Sequence, residues 1–199
     1  AQAFGYLPID MRKLNIDFLS ISGHKIYGPK GIGALIINPS IPLQPLQWGG
    51  GQENGIRAGS LPVPLIIGFA KAAEIAVEEL DTYSSKLTHM RNQLWHGLQS
   101  RVSDIFINGS LIHRLPNNLN FTVLGVNGNR LHKLLRPLIV CSSASACSNG
   151  RVSHVLQALG RNPKESAASL RLSLGKPTTN DDIEKAINCV SGVINQLRE

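Results

Sequence analysis

Several groups of residues in this chain could do covalent or ionic chemistry. The first is Ser22-Gly23-His24-Lys25-Ile26-Tyr27-Gly28-Pro29-Lys30-Gly31-Ile32-Gly33, which lies between two apolar runs, Phe18-Leu19-Ser20-Ile21 and Ala34-Leu35-Ile36-Ile37. One lysine therefore stands in a glycine-rich turn between two predicted strands. Desolvation beside a core is one route by which an amine becomes a nucleophile toward a carbonyl, an aldehyde cofactor included. Ser22 and His24 set a hydroxyl and an imidazole next to Lys25, groups able to hold a phosphate. A solvated surface lysine in a hairpin is the commoner case, and the local residues alone favour it.

The second group is Cys141-Ser142-Ser143-Ala144-Ser145-Ala146-Cys147-Ser148-Asn149-Gly150-Arg151. Small polar residues surround Cys147 and Arg151 is close by, so an exposed, reactive thiol on a loop is expected. Cys141 ends the run Leu138-Ile139-Val140, which reads as a buried strand, and burial is expected for it. Cys189 falls on the flank of the last helix, where a structural role is the default. Gly49-Gly50-Gly51-Gln52-Glu53-Asn54-Gly55-Ile56-Arg57-Ala58-Gly59-Ser60 combines backbone freedom with a guanidinium and a hydroxyl. An anion cradle and a plain flexible loop both remain open there. Arg171 lies in the alternating stretch Ser169-Leu170-Arg171-Leu172-Ser173-Leu174, so its side chain faces away from Leu170 and Leu172. From there it could pair with a substrate carboxylate, although a solvent-facing arginine is commoner. His113, His132 and His154 lack metal-ligand spacing, and no metal site is expected.

These residues need elements to place them. Strands are predicted on either side of Lys25, the second ending before Pro39. From Pro62 onward Phe69, Ala72, Ala76, Leu80, Tyr83, Leu87, Met90, Leu94 and Leu98 recur at helical spacing. That predicts a long helix, or two helices meeting near residues 81–84, with a domain boundary inside it. Beyond residue 102 the chain alternates short strands (105–109, 118–123, 138–141, 169–174) with helices at 129–135, 154–159 and from Thr179 onward. The last opens on a capping-box spacing, and the helix before it is stopped by Gly160. This half reads as an α/β or α+β unit.

Composition bounds the partners. The 199 residues are 42% hydrophobic and 17% charged, as in a folded soluble chain with a core of its own. The net charge is +7, but the cations are scattered and few aromatics stand among them, so nucleic acid is not an expected partner. No apolar run has the length of a membrane span and no secretory signal is seen. The three cysteines form no C-x-x-C pair, which points to a reducing compartment, the cytoplasm, rather than a disulfide framework. The abrupt start at Ala1-Gln2-Ala3, without Met, reads as a fragment or processed piece.

Four stretches in order, S-G-H-K-I-Y-G-P-K-G-I-G at 22–33, G-G-G-Q-E-x-G-x-R-A-G-S at 49–60, S-A-S-A-C-S at 143–148 and S-L-R-L-S-L-G at 169–175, resemble the cysteine desulfurases of the IscS/NifS type. These are pyridoxal 5'-phosphate (PLP) enzymes of the class V aminotransferase group. The resemblance spans essentially the whole chain, matched to the later part of the longer family sequence. It implies an α/β fold: the end of a fold-type I (aspartate aminotransferase-like) large PLP domain at residues 1–80, then a small α+β C-terminal domain at 81–199.

Carried over by position, the resemblance implies that Lys25 is the Schiff-base lysine. Ser22 and His24 would hold the PLP phosphate, and Gln2 would hydrogen-bond the ring oxygen. Ser60 would reach the phosphate of a partner subunit's PLP, which implies a homodimer. Cys147 would become a persulfide, with transient cluster ligation open to it, and Arg171 would clamp the carboxylate of L-cysteine. Alanine is then the product, and the sulfur goes to an acceptor such as an iron–sulfur scaffold protein. The family's pyridine-pairing aspartate, stacking histidine and Gly/Thr phosphate turn lie upstream of Gln2, so this piece is expected to bind PLP weakly or not at all. The helix at 154 also comes soon after Cys147, a spacing expected to shorten its reach. Rival expectations are a selenocysteine lyase or cystine C–S lyase, which need no persulfide, and a non-catalytic piece serving dimerisation or acceptor docking.

Overall fold

The computed structural model describes residues 1–142 and 153–199. The expectations for residues 143–152, the Cys147 stretch and its short loop, lie outside the described residues. The chain divides into two compact units, Ala1–Thr82 and Tyr83–Glu199.

In the first unit, β1 (Phe18–Ser22) and β2 (Gly33–Ile37) pair antiparallel, from Phe18 opposite Ile37 to Ser22 opposite Gly33. The connection between them holds a 3-10 turn, Gly23–Ile26, as the glycine-rich pattern predicts. Helix α1 (Val63–Glu78) lies against this turn, and Ile26, Phe69 and Ala76 form a small core with Phe4, Ile21, Ile32 and Ala72 around it. Apolar residues at helical spacing thus present one face of α1 to the turn that carries Lys25. The helical region is interrupted at Glu79, and α2 (Leu80–Gln99) continues from it, so the break falls slightly earlier than the spacing predicted.

The second unit is built on a three-stranded antiparallel sheet of β3 (Ile105–Ile107), β4 (Asn118–Val123) and β5 (Ser169–Ser173), with β4 in the centre. Period-two alternation gives this sheet two unlike faces. Leu119, Phe121, Val123, Leu170 and Leu172 line one face and are buried. Trp95 of α2 packs on Phe121, ring centroids 5.8 Å apart. Leu87, Leu94 and Leu98 of α2 are buried, as are Ile187, Val190 and Ile194 of α6 (Asn180–Arg198). Each such side chain contributes roughly 1.5–3 kcal/mol by leaving water. The opposite face carries Asn118, Asn120, Thr122, Ser169 and Arg171. Thr179 caps α6 reciprocally with Asp182, the capping box expected there.

The sequence reading differs from the structure in this unit at two places. Residues 138–141 are not a buried strand: Leu138 is 53% and Val140 102% exposed. After α3 (Gly128–Leu135) the N–H groups of Leu138 and Ile139 turn back to the Leu135 carbonyl, so the segment is a helix exit rather than a ladder. Cys141 is correspondingly only half-buried, enough to push its thiol pKa up. The alternation also gave no sign of α5 (Pro163–Ala167), which follows α4 (His154–Ala158). Its signature was present as Asn162-Pro163-Lys164-Glu165: Asn162 and Glu165 form a capping box, with proline in the first turn.

Candidate active-site elements

Lys25 stands on the 3-10 turn, half-buried, between the two strands. The turn is fixed by close packing of backbone. A Cβ on Gly23 would come within 2.8 Å of the Pro29 carbonyl oxygen and 2.9 Å of Ile32 Cγ2, so only glycine fits. Tyr27 closes the turn in the left-handed region (φ 65°), a conformation that costs a tyrosine about 1 kcal/mol or more. Ser22 Oγ and His24 Nδ1 share a hydrogen bond at 3.0 Å, which ties the hydroxyl and the imidazole together one residue from Lys25. No Asp or Glu occurs between Phe18 and Gly33. Lys25 has no ion pair or side-chain hydrogen bond among the described residues. A hydroxyl, an imidazole and an unpaired amine with no carboxylate beside them form a donor set suited to an aldehyde that carries a phosphate.

Gln2 is exposed, but its segment is tied to the same turn. Phe4 packs on the cluster around Ile26, and a Cβ on Gly5 would lie 3.1 Å from Ile26 Cγ2. Ser60 is exposed just ahead of α1. In the glycine-rich loop before it, Arg57 folds onto the Ala58 carbonyl and the Gly59 N–H donates to Gln52 Oε1 at 3.2 Å. The loop thus uses Arg57 to hold its own backbone.

Arg171 belongs to the second unit. It faces a cavity of about 430 Å³ lined by Asn108, Arg114, Asn120, Leu156 and Leu159 among others, with no Asp or Glu among the described lining residues. Its Nε is buried without a hydrogen-bond partner among the described residues, as are Nε and Nη1 of Arg114. Burial, and then the neighbouring charge of Arg91, pull the Arg114 guanidinium below its ordinary pKa. An anion in this cavity would offset both costs. Arg171 also exchanges both backbone hydrogen bonds with Ser142, at 2.8 and 3.1 Å. Ser142, the last described residue before position 153, is therefore anchored on the Arg171 strand. Arg114 and Asn120 went unread in the sequence. Asn120 was legible as the polar position of the alternation Asn118-Leu119-Asn120-Phe121; Arg114, in an irregular connection, had no such signal. Among the described residues no group of His, Cys, Asp and Glu could hold a metal, and no helix is long and apolar enough to cross a membrane.

Comparison with known proteins places these elements. The family described as "Aminotransferase class-V" matches residues 1–186. Over its whole length the chain is 44% identical to cysteine desulfurase IscS of Salmonella schwarzengrund and 40% identical to cysteine desulfurase IscS of Rickettsia bellii, covering 50% and 49% of those proteins. The chain thus spans about half the length of the curated relatives it matches. Among solved structures, a NifS-like protein is 34% identical with a TM-score of 0.87, covering 99% of this chain and 51% of its own. A NifS-like protein from Rickettsia africae is 30% identical with a TM-score of 0.88, covering 98% of this chain and 52% of its own. The chain belongs to the class-V aminotransferase family and carries the α/β, fold-type I architecture of the C-terminal portion of its IscS/NifS-like members.

Proposed function

We propose that this chain is part of a cysteine desulfurase, which takes sulfur from L-cysteine, releases L-alanine and leaves the sulfur as a persulfide on Cys147. The observation that carries the reading is the pairing of Arg171 with Ser142. It pairs an arginine suited to a substrate carboxylate with Ser142, five residues before Cys147 in sequence, in a chain 44% identical throughout to a desulfurase.

The first unit would hold PLP: Ser22 and His24 at the phosphate, Gln2 at the ring oxygen, and Lys25 at the aldehyde. When bound, the cofactor supplies an electron sink for the bonds at the substrate Cα. Lys25 Nζ, freed when substrate arrives, takes the Cα proton. Arg171 orients the substrate by its carboxylate. The Cys147 thiolate attacks the substrate sulfur, forming an S–S bond as the C–S bond breaks, and that bond's electron pair goes to carbon. Protonation there, and return of the proton from Lys25 Nζ to Cα, gives alanine. The persulfide passes its outer sulfur to an acceptor thiol, with iron–sulfur scaffold proteins the expected acceptors. Ser60, at the phosphate of a second subunit, makes a homodimer the working assembly, and a cytoplasmic location suits a reactive thiol. The domain limits at 80 and 81 belong to the same reading.

The test is alanine and sulfide release from L-cysteine by the protein with PLP and a thiol reductant. Lys25→Ala is expected to abolish alanine release and Cys147→Ser to abolish sulfide release. Sulfide release that survives Cys147→Ser would replace the persulfide route with that of a lyase.

A further inference from the structure

One row of polar side chains crosses the sheet of the second unit. The Asn108 N–H donates to the Asn120 carbonyl at 2.9 Å, one step beyond the pairing of Ile107 with Phe121. Asn120 lies opposite Arg171 in the β4–β5 register. The backbone of Arg171 points to Ser142 on its other side, and that of Asn120 points to Asn108. In an antiparallel ladder this makes Asn120 and Arg171 a non-hydrogen-bonded pair, the arrangement that brings facing side chains closest. Both line the 430 Å³ cavity.

The direction of the Asn120 amide follows from its neighbours. Arg161 Nε donates to Asn108 Oδ1 at 2.6 Å, and Thr122 Oγ1 donates to the same oxygen at 3.0 Å. A guanidinium can only donate, so this end of Asn108 must be its oxygen and the other its NH2. Asn108 Nδ2 then donates to Asn120 Oδ1 at 2.7 Å. The Asn120 NH2 is left directed away from Asn108, with no protein acceptor among the described residues. The row is buried where it is set: Asn108 is 2% exposed, and Thr122 and Ser169 are fully buried beside it.

We infer that Asn120 is a second ligand for the substrate carboxylate, donating from its NH2 to an oxygen also held by Arg171. Asn108 and Arg161 are positioning residues that set the amide the right way round. Each carboxylate oxygen accepts more than one hydrogen bond, so a guanidinium and an amide can share it. The inference rests on the reading of Arg171 as the carboxylate-binding group.

The test follows the side-chain resonances of Asn120 Nδ2 and Arg171 Nε in the ¹⁵N-labelled protein. The probes are 3-mercaptopropionate, which has the carboxylate and thiol without the amine, and cysteamine, which has no carboxylate. Both resonances are expected to move with the first probe and neither with the second. Asn120→Ala is expected to weaken 3-mercaptopropionate binding about ten-fold, the usual worth of a hydrogen bond to a charged group. Asn108→Asp keeps the shape and the acceptor for Arg161 but cannot donate, so Asn120 turns its oxygen toward the cavity. That variant is expected to lose at least as much affinity, and to lose little more when combined with Asn120→Ala. Movement of Arg171 with Asn120 unmoved would overturn the inference and leave Arg171 in place. Equal weakening by Asn108→Asp with and without Asn120 would overturn it as well, since that is plain charge repulsion. No movement at Arg171 would overturn the underlying reading itself.

Discussion

Replacing Gly128 or Gly192 by alanine makes the same chemical change in the same unit and is expected to give opposite results. Gly128 is the first residue of α3, where that helix meets the end of α5. A Cβ there would lie 2.1 Å from the Ala167 carbonyl oxygen, 2.3 Å from its carbon and 2.7 Å from the Ala168 nitrogen. All three are backbone atoms, so no side chain can swing aside; α3 or the α5–β5 junction must move. Such overpacking costs about 1–3 kcal/mol, and more when backbone is displaced. The Ala168 carbonyl accepts from the Val123 N–H at 3.0 Å, so the shift also reaches the β4–β5 ladder that sets Arg171. Gly192, inside α6, is exposed and would place its Cβ in open space. There alanine gains helix propensity and stabilises by about 0.8–1.0 kcal/mol. Urea denaturation followed by tryptophan fluorescence reads both, because Trp95 is 4% exposed in this unit's core while Trp48, the other tryptophan, is 85% exposed. A lower midpoint for Gly128→Ala and a higher one for Gly192→Ala are expected. Equal midpoints for Gly128→Ala and the parent would show that α3 does not approach Ala167 as described.

Other consequences can be checked separately. Gly23→Ala is expected to cost about 1–3 kcal/mol by forcing the Lys25 turn away from Pro29 and Ile32, read as earlier thermal unfolding of the first unit. His132 is half-buried with Nε2 donating to the Ser169 carbonyl at 3.2 Å, and burial holds its pKa below the ordinary 6.5. The unfolded chain therefore takes up this proton first. Stability tied to His132 is full above about pH 6.5 and falls as pH drops through its lower folded value. His132→Gln should remove that part of the acid loss in midpoints measured from pH 7 to 5. Thr179→Ala removes the cap of α6 and is expected to cost about 1 kcal/mol by urea denaturation, with Thr179→Ser restoring most of it.

What the sequence disclosed followed the range of the interactions. The strand–turn–strand around Lys25 was legible because its glycines, its apolar flanks and the Ser22–His24 pair lie within a few residues of one another. Arg171 was legible as the outward position of an alternating strand. The helix break at Glu79 was displaced because no proline or glycine marks it and the apolar stripe runs through it. Residues 138–141 looked like a strand because a short apolar run has no period to separate it from a helix exit. Helix α5 was hidden because it is short, although its capping box was in plain view.

Asn120 shows why part of a site stays unread. Its type and face could be taken from the alternation of β4, but its chemistry is fixed by Arg161, far along the chain, acting through Asn108. An amide has a donor end and an acceptor end, and only a neighbour of fixed polarity decides which end faces a ligand. Here that neighbour is a guanidinium, which can never accept. The polarity then passes from Arg161 to Asn108 to Asn120 without ambiguity. The carboxylate half of the proposed site is thus written in long-range pairing across three strands. The lysine half is written in one short turn, which is why a reader of the sequence meets Lys25 first and Asn120 only in the folded sheet.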